Sequence, residues 1–394
     1  MSIVPAVALG IERLVKDQPK WIKEARLGLL ANQASVDSRF EHTSTLLART
    51  FPGQLAAFFN PQHGFRGEKQ DNMVESDHSR DPLLKVPIYS LYGESRTPSR
   101  EMFDHIDVLL VDVQDVGTRV YTFIYTMAYC MEAAGKWDKK VVVLDRPNPI
   151  GGLLTEGNLL KEDLRSFVGL FPIPMRHGLT IGEIARLWEG GFGVDCELEI
   201  VPMRGWRRDM LFADTGLPWV MPSPNMPTPD TALVYPGQVI WEGTNVSEGR
   251  GTTRPFELFG APFIEPTRLK ERIAKRRVDG AIFREAWFQP TFHKWAGEVC
   301  GGLQIHVTDP RVYRPYYTTL CLLQDITSLY PDNFAWRHPP YEYEYKKLPI
   351  DLILGDDALR CALEEGADLI DLTASWEDDL ASFEELRRRF FLYE

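Results

Sequence analysis

Four short apolar runs, 27–31, 55–59, 106–111 and 141–144, each stop abruptly in polar residues, and segments with helical spacing such as 43–49 and 121–134 lie between them. Strand-length runs that alternate with helix-length periodic segments are the pattern of βα units wound around a parallel sheet. The first half of the chain therefore reads as doubly wound α/β. A helix over 181–189 is well signalled, because Thr180 with Glu183 three residues later forms a capping box and Ile184, Leu187 and Trp188 supply an apolar stripe. Five prolines within 218–229 forbid both helix and central strand, which makes that stretch an ordered loop or linker. Strand-like and helix-like stretches then alternate again over 268–277, 281–288, 303–307 and 316–329. A chain of 394 residues is longer than one core usually serves, so these are read as a second, smaller α/β domain, with the first domain over 1–254 and the second over 255–394. The end of the chain predicts a helix over 376–390, with Ser375 and Asp378 as cap and with Trp376, Leu380, Phe383 and Phe390 on one docking face.

Charge and composition exclude several classes of function. The formal net charge is −12, and residues 356–394 alone hold twelve acids against four bases. A protein that grips phosphate backbones wants a basic stripe, and none is visible, so no nucleic-acid partner is expected. No apolar run approaches the roughly 18 residues of a membrane span, and residues 1–14 lack a basic, then apolar, then small-residue leader pattern. A cytoplasmic location is the expectation. The five cysteines, Cys130, Cys196, Cys300, Cys321 and Cys361, are far apart and read as free buried thiols. No G-x-G-x-x-G follows the first strand and no G-x-x-x-x-G-K-[ST] occurs, so no nucleotide cofactor is expected, and the eight histidines show no zinc spacing. There is no G-x-S-x-G elbow of a serine hydrolase either.

In open parallel sheets ligands bind beyond the carboxyl ends of the strands. The residues there are Asn32 and Gln33; then Asn60, Gln62, His63 and Arg66; then Asp112, Gln114, Asp115 and Arg119; then Asp145, Arg146 and Asn148. Helix capping explains the Asp and Asn residues cheaply but leaves the histidine and the arginines unexplained, so this rim is a candidate site. The densest stretch of charge and glycine is 242–255, with Glu242, Glu248, Arg250 and Arg254. A curled glycine-rich loop can bring both acids to one cavity, and either arginine can clamp a carboxylate in two-pronged fashion.

Several ordered motifs carry a resemblance: Asn60-Pro61-Gln62-His63-Gly64-Phe65-Arg66-Gly67, Val113-Gln114-Asp115-Val116-Gly117-Thr118-Arg119, Asp145-Arg146-Pro147-Asn148-Pro149, Arg176-His177-Gly178-Leu179-Thr180, Pro222-Ser223-Pro224-Asn225, and the run from Glu242 to Pro255. Together they resemble the exo-acting β-N-acetylmuramidase family of bacterial glycoside hydrolases, from Gly28 to the terminal helix. The resemblance implies a Rossmann-like domain, a smaller α/β domain, and a cleft that releases N-acetylmuramic acid from the non-reducing end of peptidoglycan fragments without metal or cofactor. One departure stands out. Members of the family often carry glutamate at the position of Gln62, and an amide cannot transfer a catalytic proton.

Glycoside cleavage usually needs two carboxyl groups, one protonated to release the leaving oxygen and one ionised. The candidates by motif are Glu156, Glu242, Glu248 and Asp112, with His63 as a proton donor or sugar-binding group. Asn32, Gln62, Arg66, Arg119, Asp145, Asn225, Arg250 and Arg254 are the candidate binding residues. Gln62 also keeps open a second class of function, a sugar- or muropeptide-binding protein that does not cut, and fold analogy alone leaves a nucleotide-sugar enzyme as a weaker third.

Overall fold

The computed structural model describes residues 6–394 except 65, 68, 70–74, 76 and 94. The apolar runs become strands: β1 (Leu27–Ala31), β2 (Leu55–Asn60), then the short β3 (Ser79–Arg80) and β4 (Pro87–Ser90), β5 (Val108–Asp112) and β6 (Lys140–Leu144). Next come the small antiparallel pair β7 (Glu156–Leu159) and β8 (Pro174–Arg176), and β9 (Glu197–Val201). Seven of these make one sheet in the order β3-β4-β2-β1-β5-β6-β9, parallel throughout except for the pairing of β3 with β4.

Side chains of a strand alternate between its two faces, and the core divides accordingly. Leu109, Val111, Val141 and Val143 pack on one face with Ile124 and Met127 of the helix Phe123–Lys136 and Ile184 of Ile181–Phe192. Val108, Leu110, Val142 and Leu144 pack on the other with Ile11 of Gly10–Asp17 and Leu46 of Thr43–Thr50. Strands buried on both faces must be apolar at every position, which is why these runs stand out. The 106–111 run begins two residues early: Ile106 is buried in the turn before β5, and the strand starts at Val108.

The capping box at Thr180 and Glu183 forms as expected, and its helix continues to Phe192, where Gly193 ends it at φ +74°. Residues 218–228 form an ordered loop that hands Pro229 to the first position of the helix Pro229–Gln238. Beyond it, β10 (Leu258–Ala261), β11 (Ala281–Phe288) and β12 (Cys300–Val307) form a smaller antiparallel sheet in the order β10-β12-β11. The helices Pro266–Ile273 and Pro315–Leu329 accompany it.

The terminal helix runs over Glu377–Arg388. Its cap differs from the expectation, because Ser375 ends the preceding helix Leu369–Ala374, donating to the Leu372 carbonyl at 2.7 Å, and Trp376 takes the N-cap position with no side-chain bond. Trp376, Phe383 and Phe390 are buried, Leu380 half so. The buried Arg387 of this helix donates to the carbonyls of Gly152, Leu153 and Gly178 at 2.9–3.0 Å, fastening the end of the chain to its first half. Among the described residues no helix is long and apolar enough to cross a membrane.

Candidate active site

Much of the polar rim at the strand ends is committed to holding the fold. Asn32 caps its own turn, accepting from the Ala34 N–H at 3.0 Å. Asp112, wholly buried, accepts from Thr43 and from both Nε and Nη2 of Arg146. Asp145 is also sealed in and accepts from Tyr393 Oη (2.5 Å), Thr180 Oγ1 (2.9 Å) and the Gly182 N–H (2.7 Å). Burial pushes its carboxyl up to about 7 against the donors from Tyr393 and Gly182.

Arg119 is taken away from any cavity. Its guanidinium donates to the carbonyls of Asn158, Ile173, Ile353 and Leu354 at 2.7–3.0 Å with no exposure at all. Glu156 accepts from the backbone N–H groups of Tyr316 (3.3 Å) and Tyr317 (2.9 Å), so its carboxylate caps the first turn of Pro315–Leu329. Arg254 is half exposed and pairs with Glu257 at 3.1 Å. Arg66 is exposed, and Phe65 of the same motif lies outside the described residues.

The remaining candidates meet. Gln62 and His63 after β2, Asn225 of the proline-rich loop, Glu242 on the 3₁₀ turn Val239–Gly243, and Arg250 all line one small polar cavity that opens to solvent. Both Glu242 oxygens are engaged: Oε1 accepts from Arg250 Nη2 and Oε2 from Tyr341 Oη, each at 2.7 Å. The Arg250 guanidinium also lies 5.2 Å from the Phe256 ring centroid. His63 Nδ1 donates to the Lys69 carbonyl at 2.8 Å, which assigns the proton to that nitrogen because a carbonyl only accepts.

Glu248 stands behind this wall. Burial opposes its charge, but Lys294 (2.8 Å), His293 (3.2 Å) and Arg250 (3.2 Å) outweigh it and hold the carboxyl well below the usual carboxylate range. A group so held cannot lend a proton near neutral pH. Its position supports Arg250, whose guanidinium bridges Glu242 and Glu248.

Two residues that sequence reasoning missed complete the cavity. Tyr341 grips Glu242, and Glu342 beside it accepts from Gln62 Nε2 at 3.2 Å and from Tyr92 Oη at 2.7 Å. Burial pushes the Glu342 carboxyl up from its ordinary value; the Tyr92 bond and the charge of Arg96 pull it back, and the neighbouring Glu242 adds to the rise. The signal was the alternation of tyrosine and glutamate over 341–345, directly after Pro339 and Pro340. Gln62 itself is held on both sides, with its Oε1 accepting from Thr122 Oγ1 at 2.9 Å.

This arrangement stands beside clear kinship. Residues 27–230 match the family described as exo-β-N-acetylmuramidase NamZ, N-terminal, and residues 233–393 match its C-terminal counterpart. The peptidoglycan β-N-acetylmuramidase NamZ of Bacillus subtilis (strain 168) is 42% identical over 389 residues, covering 99% of this chain and 92% of that protein. Two crystal structures of DUF1343 family proteins from Bacteroides fragilis NCTC 9343 share the fold. One has a TM-score of 0.90 at 34% identity, covering 99% of this chain and all of the other. The second has a TM-score of 0.75 at 26% identity, covering 98% of this chain and 99% of the other. With both halves matched and a relative this similar along nearly its whole length, the chain belongs to the exo-β-N-acetylmuramidase NamZ family.

Proposed function

We propose that this protein is an exo-acting β-N-acetylmuramidase, a hydrolase that releases N-acetylmuramic acid from the non-reducing end of peptidoglycan fragments. The observation that carries this reading is the Glu242 carboxylate, gripped by Arg250 and Tyr341 in the wall of a polar cavity. The polar lining of the cavity, with Gln62, His63, Asn225 and Arg250 around Glu242, offers donors and acceptors that suit the hydroxyl and acetamido groups of a sugar. Glu242 is the reactive carboxylate on this reading, and Gln62, Asn225 and Arg250 bind the sugar. The test is incubation with a chromogenic N-acetylmuramic acid glycoside beside its N-acetylglucosamine counterpart, which lacks only the lactyl ether. Hydrolysis of the first well above the second is expected; a protein inert to both would overturn the proposal.

The lactyl group is an anion, and Arg250 offers the cavity a guanidinium whose buried Nη1 has no hydrogen-bond partner among the described residues. Arg250→Lys keeps the charge that Glu242 and Glu248 require but loses the planar fork. KM for the muramic substrate is expected to rise by about tenfold, the worth of one charge-assisted hydrogen bond, and by less for the lactyl-free analogue. Equal losses on both would remove the assignment.

Gln62 favours a second reading, a protein that binds the sugar without cutting it. The two readings diverge at Gln62→Glu. If the protein is a hydrolase as it stands, the variant keeps or loses activity, because a new carboxyl replaces the N–H that Gln62 donates to Glu342 and the two acids then oppose each other's ionisation. If it is only a binder, the parent is inert and the variant gains hydrolysis. Release of N-acetylmuramic acid across about pH 5 to 8, the range in which raised carboxyls and histidine titrate, separates them. We place the protein in the cytoplasm as part of the same proposal: its five cysteines are unpaired, as a reducing compartment keeps them, although only Cys130, Cys300 and Cys321 are buried as expected, while Cys196 is half-buried and Cys361 exposed; cell fractionation checks this.

A further inference from the structure

We propose that Glu342 is the acid of this site, the group that protonates the leaving oxygen, in a wall where Gln62 has no proton to give. The proposal rests on the hydrolase reading above and assigns the half of the chemistry that Glu242 leaves open.

Glu342 lines the same cavity as Glu242 and is buried. Its two oxygens accept from Gln62 Nε2 and Tyr92 Oη, and each carboxyl oxygen keeps a second lone-pair position for the proton to be transferred. The backbone beneath it is unusual. Tyr341 and Glu344 exchange both backbone hydrogen bonds at 2.9 Å, closing a two-residue turn whose central residues, Glu342 at φ +47° and Tyr343 at φ +66°, are both left-handed. Such turns ordinarily take Asn-Gly or Gly-Gly. Glutamate and tyrosine are strained there, and strain of this kind persists where the surroundings over-determine it. Arg96 does so: its guanidinium sits 3.7 Å from the centroid of Phe167 and donates to the Glu342 carbonyl at 3.0 Å. A turn that needed only to reverse the chain would have been easier to build from glycine. This one presents a carboxyl to the cavity.

The groups facing Glu342 pull its proton in both directions. Gln62 is neutral, Tyr92 is a hydrogen-bond donor, Arg96 is 3.8 Å away at the outer side, and Glu242 and His63 share the cavity wall. Burial and the Glu242 charge favour the protonated form and outweigh the hydrogen bonds from Tyr92 and Gln62 and the charge of Arg96, which favour the ionised one. In the step, the Glu342 proton passes to the glycosidic oxygen as the bond from the anomeric carbon breaks, with its electron pair leaving on that oxygen. Water supplies the new bond to carbon, and its proton passes to Glu242 and then to solvent, from which Glu342 is recharged.

Leaving groups of low basicity depart without a proton, so the test compares two aglycones. Glu342→Gln should lower kcat/KM about 10² to 10⁴-fold on the disaccharide of N-acetylmuramic acid with N-acetylglucosamine, and less than about tenfold on the 2,4-dinitrophenyl glycoside. The fall in rate at alkaline pH, where the acid loses its proton, should vanish from the variant's profile on the activated substrate. Glu342→Asp keeps an ionisable proton in the same turn and should retain that alkaline fall with an intermediate rate; it carries the comparison if the glutamine variant does not fold. Equal losses on both aglycones, or a Glu342→Gln enzyme that cuts the disaccharide at the parent rate, would overturn the assignment while leaving the hydrolase reading intact. A parent protein that cuts neither substrate would overturn the hydrolase reading and this assignment with it.

Discussion

Glu242→Gln is expected to fold as the parent does and to lose about 10² to 10⁴ of its turnover, the span over which positioned proton transfer contributes. Folding should survive because the replacement satisfies its neighbours. The amide oxygen can keep the Arg250 bond, and the Tyr341 hydroxyl can rotate from donating to accepting, so that both contacts at 2.7 Å persist. Arg250 still has Glu248 as a counter-charge at 3.2 Å. What disappears is the carboxylate alone. Steady-state rates on the chromogenic muramic glycoside, with a thermal melt of the same preparation, check this: a rate within tenfold of the parent from a folded variant would show that Glu242 holds the wall and reacts with nothing.

Arg119→Leu should have the largest effect on stability. Of its four carbonyl partners, Leu354 has a second donor in Asn158 Nδ2 at 2.9 Å, but Asn158, Ile173 and Ile353 would lose the bond that Arg119 supplies. At about 1 to 3 kcal/mol for each buried acceptor stranded, the loss should reach about 3 kcal/mol or more, a large part of the 5–15 kcal/mol that separates typical folded and unfolded states. The Ile353 and Leu354 carbonyls end the helix Pro349–Leu354, where acceptors are orphaned and cations are welcome. Gly355 follows at φ +70°, and a Cβ there would sit 2.8 Å from Arg119 Nη2, so the glycine is required by both the turn and the guanidinium. Arg119→Lys should recover part of the stability, since one ammonium reaches fewer carbonyls than the fork. Urea midpoints of the two variants are the measurement, and a leucine variant as stable as the parent would contradict the account.

The sheet was legible wherever a strand is buried on both faces, as at 27–31 and 141–144, because every position there is apolar. β9 escaped, since an edge strand reading Glu-Leu-Glu-Ile-Val with all positions at least partly exposed carries no such run. Glu242 and Arg250 were legible through the glycines around them. Glu342 was not, because what makes it notable is contact with Gln62, 280 positions away, and a run of tyrosines and glutamates looks like a solvated loop until that contact is known. Arg119 misled for the opposite reason. At a strand end an arginine that reaches a ligand and one that reaches four carbonyls are the same letter, and only burial tells them apart.

The polar ties between early and late residues also bear on how the chain is born. Arg119 waits for the carbonyls of Ile353 and Leu354, Glu156 for the amides of Tyr316 and Tyr317, and Asp145 for the hydroxyl of Tyr393. At about 5–20 residues per second, roughly 15 to 55 seconds separate the synthesis of Arg119 from that of Tyr393. For much of that interval Arg119 has only the Asn158 and Ile173 carbonyls, and Asp145 only the donors from Arg146, Thr180 and Gly182, out of the partners that surround them in the finished fold. The first half therefore completes its set of buried polar contacts only after residues 316–393 have been made.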